Sequence, residues 1–133
     1  MDKKQMDELL AEKISEYGLF IGTPAAKLTA SHLATQSAFK QIEITCSSPY
    51  RTIWQSAIGC GEILLDSEET GSLDVLIKSG FANMNPAILI VRIAGKNASI
   101  NAYAKEGLIK QNTAQKAINR LINGLDIKSS AIR

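Results

Sequence analysis

A nucleophilic active site needs a Ser or Cys with a base in reach, and the Gly59-Cys60-Gly61 step is where this sequence comes nearest to one. Flanking glycines bare the backbone around the thiol, but the residues before it read as a helix that ends there. A helix C-terminus carries partial negative charge, which raises a thiol pKa where activation needs it lowered. Cys60 is therefore expected to be an incidental thiol in a tight turn. The single histidine, His32, follows the polar stretch Thr29-Ala30-Ser31 and reads as solvent-facing rather than as a general base. With two cysteines, Cys46 and Cys60, and no CxxC or HxxxH spacing, no tetrahedral zinc set can be assembled from the usual ligands. Glu68 and Glu69 lie in a turn segment, where adjacent acids are normally solvated. No GxGxxG, Walker or DxDxDG pattern occurs, so the backbone that would hold a dinucleotide, a nucleotide phosphate or calcium is missing. These absences predict a non-enzymatic protein with no metal and no other cofactor.

Binding chemistry has more support. In the run 105–112 a strand delivers the chain to the start of the last helix, where unpaired N–H groups and the helix dipole attract anions. Lys105 and Lys110 lie close to that end, Gly107 permits close backbone approach, and Asn112 caps the helix, so Lys105, Gly107, Lys110 and Asn112 form a candidate ligand or anion site. A second candidate is a partner-binding surface. Phe81 and Met84 flank a turn ahead of Pro86 and offer apolar anchors, while Lys116 and Arg120 stand one turn apart on the polar side of the last helix. Trp54, the only tryptophan, falls on an apolar helical stripe and reads as core packing.

The elements that must position these residues follow from periodicity. Met6, Leu9, Leu10, Ile14 and Tyr17 mark one helical stripe over residues 4–17, and Thr23-Pro24 opens a second helix over about 24–36. From Phe39 the spacing turns to alternation, with Ile42, Ile44 and Cys46 on one face of a strand. Ser48-Pro49 then starts a helix with the stripe Tyr50, Ile53, Trp54, Ala57 and Ile58. Strands follow over 62–67 and 73–78, separated by a polar turn ending in Gly71. Leu73, Val75 and Ile77 alternate with Asp74, Leu76 and Lys78, which predicts one buried face. Residues 87–94 are nearly continuous and apolar, as in a strand covered on both sides. A Gly95-Lys96-Asn97 turn leads to a strand over 99–105. The last helix, capped by Asn112, buries Ala114, Ala117, Ile118, Leu121, Ile122 and Leu125, and residues 127–133 continue without a period as a frayed tail.

The order is strand, helix, four strands, helix, preceded by two N-terminal helices, so the expected class is α+β with one antiparallel sheet and helices on one of its faces. The expected division is a helical extension over 1–38, a core over 39–126 and a tail over 127–133. By element order alone, residues 39–125 resemble the TATA-box-binding-protein-like folds, whose larger relatives include helix-grip ligand-binding proteins. The resemblance rests on topology and implies no residues and no activity.

Composition bounds the rest. A chain of 133 residues that is 45% hydrophobic with a net charge of +2 buries enough surface to offset the entropy of folding, which excludes disorder as the default. No apolar run approaches the ~18 residues of a membrane span, and the start Met1-Asp2-Lys3-Lys4-Gln5 resembles no leader, so a cytoplasmic location is expected. The charge is divided: residues 1–86 sum to −4 and residues 87–133 to +6. That predicts an acidic N-terminal helix docking near the basic C-terminal helix, in the same chain or by self-association in a symmetric copy. Only one aromatic residue, Tyr103, lies in the basic half, which disfavours base stacking on nucleic acid and a membrane anchor alike. The expected function is binding of a partner protein, or of a small apolar or anionic ligand between the sheet and the last helix. The alternatives are an accessory subunit whose partner chain supplies catalytic residues, or weak nucleic-acid binding through the basic half.

Overall fold

The switch from helical to alternating apolar spacing sets the layout of the chain. The computed structural model describes residues 1–17, 34–79, 85–106 and 112–132. Its elements run α1 (Lys3–Tyr17), β1 (Ala34–Glu43), α2 (Pro49–Cys60), β2 (Gly61–Ser67), β3 (Ser72–Ser79), β4 (Asn85–Ala94), β5 (Asn97–Glu106) and α3 (Thr113–Ile132). The class is α+β, with three helices among the described residues and one five-stranded antiparallel sheet in the order β1-β5-β4-β3-β2. Strands β2 to β5 pair with their chain neighbours, so short connections account for three of the ladders. The fourth brings β1 to β5, from Ala34 opposite Glu106 to Glu43 opposite Asn97. The β2–β3 turn needs its glycine. Gly71 has φ 68°, a conformation costly to other L-residues, and its carbonyl accepts the Ile93 N–H at 2.8 Å.

Alternation along the central strands divides the core in two. Leu73, Val75, Ile77, Ala87, Leu89 and Val91 face α2 and α3, where they meet Ile53, Ala57, Ile118 and Leu121. Small side chains on β5 (Ala98, Ala102, Ala104) and α3 (Ala114, Ala117) let that helix lie close to the sheet. Leu76 and Ile88 point the opposite way and are covered by Met6 and Leu10 of α1. Each such side chain contributes on the order of 1.5–3 kcal/mol when removed from water.

Three expectations are corrected here. Helices cover both faces of the sheet, not one, because the face that carries Asp74 and Leu76 is also apolar enough to need cover. Asp74 itself is fully buried. It accepts from the Arg92 guanidinium at 2.9 Å, and the Met1 amino group lies 3.7 Å from its other oxygen. The described residues hold one N-terminal helix rather than two. Of the expected second helix, residues 24–33 lie outside the described residues, and Ala34, Thr35 and Gln36 belong to β1. Pairing with β5 takes them into the sheet ahead of Phe39, where the alternation first becomes visible. Third, α1 is no appendage, and within the chain it does not dock on α3, since the sheet lies between them. At the other end, α3 continues past Gly124 to Ile132, through most of the stretch expected as a tail.

Helices α2 and α3 meet at one close crossing. The Ser56 hydroxyl donates to the Leu121 carbonyl at 2.6 Å. A Cβ on Gly124 would fall against Ser56, only 3.2 Å from its Cβ and closer still to its hydroxyl oxygen. Gly124→Val is expected to push the helices apart and cost about 1–3 kcal/mol. Urea unfolding should show a lower midpoint at unchanged slope, and an unchanged midpoint would mean that no such crossing exists.

Candidate functional site

The apolar stripe of α2 is wider than the surface that covers it. Ile53 and Ala57 are fully buried against the sheet and α3. Tyr50, Trp54 and Ile58 form a second row, four residues apart and so one above another on the helix surface. Within that row Tyr50 reaches the start of β3 and Trp54 reaches β2, the last strand of the described sheet. Tyr50 and Trp54 are half-buried and Ile58 is exposed.

Between this row and the β2–β3 turn lies an open groove of about 330 Å³, lined by Tyr50, Arg51, Trp54, Asp66 and Glu68. Both aromatic side chains are tethered. The Trp54 indole Nε1 donates to Asp66 Oδ2 at 3.2 Å, and the Tyr50 hydroxyl donates to the Ser72 carbonyl at 3.3 Å. Residues 66–69 contribute Asp66, Glu68 and Glu69, all exposed, and no basic side chain. Burial pushes the Tyr50 phenol above its ordinary value, the charges of Asp66 and Glu68 add to the rise, and the Ser67 backbone opposes it. The groove is thus an aromatic recess in a negative field, with Arg51 as its one basic wall.

The residues singled out from the sequence are placed differently. Lys105 is 4% exposed and lies on the α1 face of the sheet, with its ammonium 3.6 Å from the Asp7 carboxylate. Asn112 leads into α3 on the other side, with φ 53° and its carbonyl accepting the Lys116 N–H at 2.9 Å. The structure therefore does not bring the Lys105 side chain to the start of α3. Gly107, Lys110, Phe81, Met84 and His32 lie outside the described residues. Lys116 is exposed, whereas Arg120 is partly buried and its guanidinium donates to the Lys78 carbonyl, tying α3 to the end of β3. Burial raises the Cys60 thiol pKa, with Arg120 acting in the opposite direction. No group of His, Cys, Asp and Glu among the described residues is arranged to hold a metal ion, and no described helix is long and apolar enough to cross a membrane.

Trp54 does pack against the core, as its place on the stripe predicts, but only in part, and its remaining surface lines a groove that sequence reasoning did not foresee. The signal was present in the stripe itself: of its five apolar positions Ile53 and Ala57 are fully buried, Tyr50 and Trp54 are half-buried and Ile58 is exposed. No protein-family model matches the chain, and no curated protein matches it.

The Tyr50 phenol gives the groove a titration of its own. Its folded-state pKa is raised, so its contribution to stability is full below pH 10.0 and declines as pH rises through the higher folded value. Asp66→Asn is expected to lower that titration, read as the ultraviolet difference between proteins with and without Tyr50→Phe. An unmoved titration would mean that Asp66 does not face the phenol.

Proposed function

We propose that this protein is a non-enzymatic binding module that takes a partner protein at the groove between α2 and the β2–β3 turn. The observation that carries the reading is the pair of half-buried aromatic side chains, Tyr50 and Trp54, already tethered beside open space. Tyr and Trp are the residue types that anchor interfaces, and fixing them before contact lowers the ordering cost of binding. At the sheet–α3 interface, by contrast, Leu89, Ala102, Ala117, Ile118 and Leu121 are all fully buried against one another. That supports a surface partner over an apolar ligand held inside. The unpaired thiols Cys46 and Cys60 suit a reducing, cytoplasmic setting. The element order supports a TATA-box-binding-protein-like topology for the core, which by itself supplies no site.

Selection of a random displayed peptide library on the folded chain tests the proposal. Enriched peptides are expected to change the fluorescence of Trp54, the only tryptophan. By anisotropy of labelled peptide, they should bind Tyr50→Ala roughly tenfold more weakly, equivalent to about 1.4 kcal/mol. The exposed control Lys40→Ala should bind as well as wild type. Peptides that bind Tyr50→Ala undiminished, or no enrichment at all, would contradict it.

A further inference from the structure

Resting on that partner-binding role, we infer that the group seated in the groove is a cation, the guanidinium or ammonium of an Arg or Lys side chain on the partner protein. The walls decide between ligand classes. Asp66 and Glu68 line the groove against Arg51 alone, and Glu69 follows them in the β2–β3 turn. One guanidinium does not balance these carboxylates, and the Trp54 indole and Tyr50 phenol beside them bring no positive charge.

An anionic group would meet like charge in this recess. An apolar group would take water from the carboxylates and return no hydrogen bond, which is unfavourable. A cationic side chain meets both demands of the site. Its charged end pairs with the carboxylates and its planar or methylene portion lies against the aromatic rings, whose faces attract cations. Asp66 is held in place for this by the Trp54 indole N–H, which engages one carboxylate oxygen and leaves the other available to a ligand. Charge at the rim also predicts salt-dependent association.

The test uses the full chain and the peptides selected on it. Groove-dependent peptides are expected to share an Arg or Lys. Replacing that residue by citrulline, which keeps the shape and removes the charge, should weaken binding about tenfold. Raising salt from about 50 to about 500 mM should weaken the parent peptide and leave the citrulline peptide nearly unchanged. Glu68→Gln should also weaken the parent peptide, and because that side chain does not bond Trp54, the loss would report charge rather than a displaced ring. Thermal melting checks that the variant remains folded. Groove-dependent peptides without Arg or Lys, or a citrulline replacement that costs less than twofold, would overturn the cationic assignment and leave the partner-binding role standing. A library yielding no groove-dependent peptide would overturn both.

Discussion

β4 lies in the middle of the sheet and presents apolar side chains to both of its faces, so the fold must supply cover on both sides. Ala87, Leu89 and Val91 take theirs from α2 and α3, while Ile88 takes its from α1. Cover on the second face has an electrostatic consequence. Asp74 and Lys105, which would be solvated on an open face, are enclosed and must be paired. Arg92 serves the first and Asp7 the second. Removing one member of such a pair costs more than the pair contributes, because the remaining charge stays buried. The apolar helix contact and the ion pairs around it therefore depend on each other.

The same constraint explains why a groove opens where it does. A helix with its side chains is about 10 Å across, whereas strands are spaced by about 4.8 Å. Two helices laid over five strands are positioned by their mutual contact as much as by the sheet. The Ser56–Leu121 hydrogen bond and the bare Gly124 surface hold α2 against α3, and its outer row then lies toward β2 and the β2–β3 turn. Tyr50 and Trp54 find partial cover and polar tethers there. Ile58, one turn further along, finds neither and stays exposed. The groove is the space left between a helix fixed from one side and the β2–β3 turn beside it.

Features set by local pattern were legible in the sequence. The hairpins from β2 to β5, the central strand, and the stripes of α2 and α3 follow from side-chain period and turn residues within each segment. What was not legible depends on distant residues. β1 begins at Ala34 because Glu106, far along the chain, pairs with it, and nothing between Ala34 and Gln36 announces that. The burial of Asp74 and Lys105 could not be read locally, because the cover over that face of the sheet comes from the N-terminal helix. The halves of opposite charge were real, but within the chain the sheet keeps the two helices they pointed to apart. The concentration that bears on binding is shorter, three carboxylates within residues 66–69, and it acquires meaning only when α2 places two aromatic rings beside it.

The central claim, that a partner touches the protein at the edge formed by α2 and β2, is tested most directly by the amide and indole NMR spectrum during titration with a bound peptide. A single tryptophan gives a single indole resonance, and its proton sits on the Asp66 hydrogen bond. The account predicts that this resonance and the amides of residues 50–54 and 66–72 shift together and saturate with the peptide, while the amides of α1 stay in place. Shifts gathered instead on α1 and the β4–β5 face beneath it, or around Asn112, with the indole unmoved, would contradict it.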